Sequence, residues 1–415
     1  MDERLSWGPD RAGLKRPGVP GISFPERTFW AGALGWRRWP GRTIVFVMDS
    51  GFGRRLREHR ESYGFSAAEL AQISGLKGAR IGKLEHGDNP TAYEVELLAR
   101  SLAIDPRSLL DPNAPPDPKR SAARFRAPLG VSAIGAVDMR LLARAAEIAR
   151  IGGFLAEQLG REAPAIAGAR RILPVRGNEP AWRQGYDLGE QDRELLLPGD
   201  TPIESVQAAF ESLGIHIAFV DFESPEIESA SLYEQGALPV ILLNRHSDRV
   251  KYELSRRAIL AHELCHLLHD GGERDLLAAI SREEDQTHIE SRANAFAPSF
   301  LAPRRFVSVE GIDAKAKVLQ LAYLWGFTFE GAVWHAKNIE LIGTEDAGRL
   351  LKERRYGATI DPPFERRVDR LAFHHLVDPA DVSSLVYGLI SDVTVEAYAQ
   401  GIISSSRARE ILTAQ

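Results

Sequence analysis

At 415 residues, with 44% hydrophobic and 26% charged residues, the chain is too long for one ordinary core and too apolar to be a disordered polymer. Its formal net charge of −5 excludes a globally basic nucleic-acid coat and leaves room only for a local basic face. The single cysteine, Cys265, cannot form an internal disulfide, and no apolar run approaches the roughly 20 residues of a membrane span, so a cytoplasmic protein of several folded units is expected, without a membrane partner.

Residues 1–47 are rich in Arg, Gly and Pro, hold Trp7, Trp30, Trp36 and Trp39, and show neither helical nor strand periodicity, which predicts a disordered extension. The composition changes abruptly at Met48, offering that residue as an alternative start of the native chain; an intact mass that includes earlier residues would remove this expectation. From 49 to 111 apolar residues recur at helical spacing, broken at Gly64, at Ser74-Gly75 and at 87–90, as in a compact all-α module. Ser66-x-x-Glu69 is a capping box opening one helix, Ser74-Gly75-Leu76 is a turn, and the next helix begins near Lys77. That arrangement is a helix-turn-helix, with Ile81 and Leu84 inward, Lys77, Arg80 and Lys83 outward, and Arg80 set to reach a base edge of DNA. Nine Lys/Arg face ten Asp/Glu in this module, a poor balance for neutralising phosphates. DNA binding would then call for a homodimer, and protein contact is the alternative use.

A Pro-rich linker occupies 112–136, since Asp111-Pro-Asn-Ala-Pro-Pro-Asp-Pro cannot continue a helix. Residues 137–200 read as a connecting helix, amphipathic to about Leu159, and a loop. In the unit expected over 201–345, a helix at 203–213 precedes strands at 215–220 and 239–244, so a small sheet is predicted. Two long helical patterns follow at 250–269 and 284–300, and the region 346–415 is helical, with turns at Asp378-Pro379 and Gly401. The fold class is therefore α+β and mostly helical.

His262-Glu263-Leu264-Cys265-His266 is an HExxH string, which sets two imidazoles one turn apart on one helix face where both can hold a single ion. Zn²⁺ suits such nitrogen ligands, and a carboxylate can complete the set while one position stays open to water. The second helix offers Glu290, with Asn294 one turn further along the same face; His288 is the rival ligand. Glu263 then stands as general base, taking a proton from water and passing it to a leaving amine. A pair of surface histidines on an exposed helix is the plain alternative. The apolar flanks Ala258-Ile-Leu-Ala and Leu267-Leu268 speak against it, because they mark a buried helix where idle polar groups are costly. His269 reads as a helix-end residue complementing the C-terminal dipole. Tyr323 and His335 are candidates for oxyanion stabilisation by residue type alone.

Ala261-His-Glu-Leu-Cys-His-Leu-Leu-His, followed by Glu290-Ser-Arg-Ala-Asn-Ala-Phe-Ala-Pro-Ser-Phe-Leu-Ala-Pro, resembles the ImmA/IrrE family of metallopeptidases over about 202–342. The resemblance implies a zincin-like fold and Zn²⁺ on His262, His266 and Glu290, with Glu263 as base. It also implies a protein substrate, a repressor of the helix-turn-helix class. This chain departs from the family in having Cys265 where glycine is usual and Arg292 where glutamate or glutamine often precedes the Ala-Asn pair. Residues 52–110, including Leu84-Glu-His-Gly-Asp-Asn-Pro, resemble the XRE/Cro family of helix-turn-helix domains, with Ala67 where a phosphate-contacting glutamine is common. Taken together, a DNA-binding regulator with a zinc-dependent endopeptidase domain is expected. The alternative is a transcription factor or antitoxin-like regulator whose peptidase-like domain is a non-catalytic sensor.

Overall fold

The computed structural model describes residues 51–62, 65–102, 104, 106–111, 124–126, 135–173, 180–270, 277–282, 288–310, 313–352, 376–377 and 381–413. The 1–47 extension, Met48, most of the 112–136 linker, Gly64 and the turn at 378–379 lie outside the described residues.

The first module is five helices: α1 Phe52–Ser62, α2 Ala67–Ser74, α3 Gly78–Glu85, α4 Ala92–Ser101 and α5 Pro106–Leu110. Ser66 Oγ accepts from the Glu69 amide at 3.2 Å while the Ser66 amide donates to Glu69 Oε2 at 2.7 Å, so the capping box is closed in both directions. The α2–α3 turn depends on Gly75, whose φ of 72° is left-handed and favours glycine. Phe52, Leu56, Leu70, Ile81, Leu84 and Leu98 fill the module's core.

Strands β1 Arg124–Arg126, β2 His216–Val220, β3 Ile227–Tyr233, β4 Val240–Asn244 and β5 Leu277–Arg282 form one sheet in the order β1-β5-β3-β4-β2. β3 is antiparallel to β4 and to β5, whereas β2–β4 and β1–β5 are parallel. Both faces of the central strands are covered. Ile217, Ile241 and Leu243 join one core with α9 Val206–Ser212, the short α10 Asp248–Lys251, α11 Glu253–His269 and α12 His288–Leu301. Ala218, Val220, Ala230, Leu232 and Leu242 join a second core with α6 Ala136–Gln158 and the C-terminal helices Leu389–Ala399 and Ser405–Leu412. Helices on both faces make the central strands a buried middle layer, which is why β4 is buried throughout and apolar from Val240 to Leu243.

The 137–200 region, read from its pattern as a connection, supplies structural layers instead. α6 covers the second face of the sheet, and Ile73 of α2 belongs to the same core. Arg140 donates to the Gln72 carbonyl, and Arg100 pairs with Glu147. α7 Ala165–Ala169 and α8 Ala181–Leu196 follow. Gly185 and Gly189, one turn apart on α8, let it lie directly on α12: a Cβ on Gly185 would strike the Arg292 carbonyl, and one on Gly189 the Phe296 carbonyl. Downstream, α13 Ala314–Trp325, α14 Phe329–Asn338 and α15 Thr344–Leu350 close the core around α12. No helix among the described residues is long and apolar enough to cross a membrane.

Candidate metal centre

α11 is buried on nearly every side, with Leu260, Leu264, Leu267 and Leu268 sealed in the core, so the polar residues on it must be satisfied inside the protein. His262 and His266 stand one turn apart, and α12 brings Glu290 against both. His262 Nε2 lies 3.1 Å from Glu290 Oε2, His266 Nε2 lies 3.3 Å from Glu290 Oε1, and the two Nε2 atoms are 3.0 Å apart. Ligands at about 2.0–2.2 Å from a tetrahedral ion stand ~3.3–3.6 Å from one another, so the three side chains fit a Zn²⁺-sized ion with little adjustment. His288 is exposed and outside this cluster, although it opens the same helix.

The far nitrogens of both rings are committed. His262 Nδ1 meets Asn294 Oδ1 at 3.0 Å, and His266 Nδ1 meets Asp270 Oδ2 at 2.7 Å. A ring that donates from Nδ1 to an oxygen presents the lone pair of Nε2, the tautomer a metal needs. Burial pushes the Glu290 carboxyl up, but the two imidazoles beside it more than offset this and hold it below the usual carboxylate range. Glu290 is thus an anion in the pocket.

Glu263 is fully buried on α11 and faces the sheet, where Ser229 Oγ of β3 donates to its Oε1 at 2.5 Å. Its Oε2 has no hydrogen-bond partner among the described residues. An acceptor fixed at one oxygen and open at the other is suited to receiving a proton. Cys265 is buried in the core, and burial pushes its thiol well above the ordinary range, so it is an inert apolar neighbour.

The last turn of α11 lacks a glycine cap. Segment 170–173 satisfies its carbonyls instead: Arg170 donates to Leu267 O and Asp270 O, the Arg171 amide to Leu268 O, and the Leu173 amide to His269 O. His269 is not a surface residue facing the helix dipole. It is buried, with Nε2 2.6 Å from Asp192 Oδ2 of α8 and Nδ1 3.0 Å from the Arg171 carbonyl. Arg292, the departure in the α12 motif, is fully buried and binds Asp270, Leu173 O and Gln184. The two oxyanion candidates lie on α13 and α14. Tyr323 is exposed on α13, and both ring nitrogens of the buried His335 are taken, by Ala302 O at 2.9 Å and Tyr186 Oη at 3.0 Å.

In the helix-turn-helix, Lys77 and Lys83 are exposed and form no ion pair among the described residues. Arg80, expected to reach a base edge, is engaged within the module. Its Nε lies 2.6 Å from Glu94 Oε1, and its Nη atoms bind Asp88 at 3.1 Å and Asn89 O at 2.9 Å, so it ties α3 to the start of α4. The Arg80 guanidinium, helped by the Thr91 amide, pulls the Glu94 carboxyl down to about 2 despite its burial. Arg57 and Arg60 are likewise spent on Glu85.

Residues 210–330 match the family model described as an IrrE N-terminal-like domain, and residues 56–109 match the helix-turn-helix model. The chain carries both domains. Comparison with curated proteins and with solved structures gives no match. Within the IrrE-like domain lie His262, Glu263, His266 and Glu290, so the metallopeptidase-like match covers the whole candidate centre. The residues that secure the end of its HExxH helix, Arg170–Leu173 and Asp192, precede the matched segment. Sequence reasoning passed over Ser229, Asp270 and Asp192. The only available signal was polarity at fixed places: Ser-x-Ser alternating with Ala and Leu in 229–232, and an acid directly after the HExxH helix.

Proposed function

We propose that the protein is a cytoplasmic regulator in which a helix-turn-helix addresses DNA and a zinc-dependent endopeptidase makes a specific cut in a helix-turn-helix repressor. The observation that carries this reading is the convergence of His262, His266 and Glu290, with both Nδ1 atoms spoken for, beside a buried Glu263 whose second oxygen is free. Bound there, Zn²⁺ would supply Lewis acidity and bring the pKa of water towards roughly 7. Glu263 Oε2 takes the proton from the attacking water as its oxygen joins the scissile carbonyl carbon. When the C–N bond breaks, the same oxygen returns that proton to the departing amine. Ser229 holds Oε1 throughout, so the carboxylate does not have to reorient between the two transfers. The test is a comparison of new protein N-termini in cells carrying the wild-type chain or Glu263→Gln. A terminus inside a helix-turn-helix repressor that appears only with wild type is expected; identical sets of termini would remove the peptidase reading.

A second reading, in which the helix-turn-helix serves protein contact or homodimerisation, is favoured by the internal ion pairs of Arg57, Arg60 and Arg80. Under the DNA reading, Lys77 and Lys83 carry the phosphate contacts. Each lysine-to-alanine change should then lower the salt dependence of DNA affinity by about one unit of log–log slope. A DNA affinity indifferent to salt and to both lysines would favour protein contact.

A further inference from the structure

Two carboxylate–histidine contacts sit on the last turn of α11, each backed by an arginine, and they differ in one respect. Asp270 binds His266 and Arg292, whereas Asp192 binds His269 and Arg171. His266 is a candidate metal ligand; His269 is not. We infer that Asp270 and Arg292 are positioning residues that aim the His266 imidazole at the metal, while Asp192 and Arg171 hold the same helix end without touching the site. This inference rests on the metal reading above.

The geometry of Asp270 supports it. One oxygen, Oδ2, accepts from His266 Nδ1 at 2.7 Å, and the other, Oδ1, accepts from Arg292 Nη2. Fixing both oxygens fixes the carboxylate plane and, with it, the direction of the imidazole. Arg292 is itself immobile: it is fully buried, and its Nη1 donates to Leu173 O at 2.7 Å and to Gln184 Oε1 at 3.4 Å. Because Arg292 is two residues from Glu290 on α12, it also links the helix of the third ligand to the helix of the first two. The backbone of Asp270 is held from a third direction, by Arg170 Nη2 on its carbonyl at 2.8 Å. Leu173, Gln184 and Arg170 all precede the segment that matches the IrrE-like model, so the anchoring lies outside it. Outer carboxylates of this kind orient metal-bound histidines, and their loss commonly weakens metal binding about 10–100-fold.

The experiment measures Zn²⁺ dissociation constants of the full chain by competition with a chromophoric chelator, with melting temperature recorded for each variant. Asp270→Asn should weaken zinc about 10–100-fold, and Arg292→Met should do so in the same direction. Asp192→Asn should lower the melting temperature and leave zinc affinity within about threefold. Should Arg292→Met fail to fold, Arg292→Lys keeps the charge, loses the two-pronged grip, and should give a smaller loss of zinc affinity. The visible absorption of the Co²⁺-loaded chain gives a readout that stability does not move: it should shift in Asp270→Asn and stay unchanged in Asp192→Asn. Wild-type zinc affinity in Asp270→Asn, or an equal loss in Asp192→Asn, overturns the inference. A wild-type chain that takes up no zinc overturns the metal reading itself, a distinct result.

Discussion

His216 and His335 are fully buried, each with a ring nitrogen on a backbone carbonyl, Leu385 O at 2.8 Å and Ala302 O at 2.9 Å. Burial pulls both imidazoles down to about 4 from an ordinary 6.5. The folded protein therefore holds them neutral while the unfolded chain protonates, so their contribution is complete above pH 6.5 and is lost as pH falls through 6.5 towards 4. Melting temperature should decline across that window, and His216→Gln should flatten the decline; an unchanged slope would show that His216 is not held neutral. Glu94 gives a second window in the helix-turn-helix. Its carboxyl is lowered from 4.5 to about 2, so that its stabilisation is complete above 4.5 and lost as pH drops to about 2. Because Arg80 is its partner, Arg80→Ala should destabilise the protein by about 1–3 kcal/mol in a urea titration, whereas Lys83→Ala should stay within about 0.5 kcal/mol. Equal effects of the two changes would contradict the assignment of Arg80 as a structural clamp. His262, His266 and Glu290 were legible in the sequence because HExxH spacing and an acid on the next helix are local patterns. The role of Arg80 was not, because its partner Glu94 lies on another helix and only folding shows the pairing.

Among the elements, α11, α12 and strand β4 were readable because a long helical period or a fully apolar run survives in the linear chain. Strand β3 was missed. Ser229 and Ser231 lie on the face towards α11 and Ala230 and Leu232 on the other, so the strand looks polar although it is buried. β1 is only three residues long, and β5, Leu-Ala-Ala-Ile-Ser-Arg, has no alternation of apolar and polar residues, which leaves little period to read. α6 looks like a connection because its amphipathicity says that it packs, not against what. The α8–α12 contact was equally hidden: Gly185 and Gly189 weaken the helical signal of α8 while allowing the approach that fixes α12. Filling that approach with Gly189→Val should cost at least about 1–3 kcal/mol by overpacking and should weaken zinc binding along with stability. Wild-type stability in that variant would mean that the helices are not in close contact.

At the scale of the molecule, the helix-turn-helix and the IrrE-like domain share a core through α6, where Ile73 meets the helices and strands that cover the sheet. The metal unit also extends upstream of the segment that matches the family model. α8 carries Asp192 and packs on α12, and 170–173 caps the HExxH helix. A fragment beginning at residue 202 strips these groups away, leaving His269 and four helix-end carbonyls without the partners described and Arg292 with Asp270 but without Leu173 O and Gln184, a loss that buried polar groups do not tolerate. Such a fragment should fail to fold or to hold zinc, whereas one beginning at 135 should do both. A zinc-binding 202 fragment would contradict this extended boundary. None of it was legible from local patterns, since the partners are about a hundred residues apart, as Arg170 and Asp270 are. The most direct measurement is zinc content of the purified chain by elemental analysis, in wild type and in Glu290→Ala. One zinc ion per wild-type chain, lost in the variant while the fold persists, is the predicted result for the three-ligand centre. A folded wild-type chain that remains metal-free in excess zinc, or a Glu290→Ala variant that keeps its ion, would contradict it.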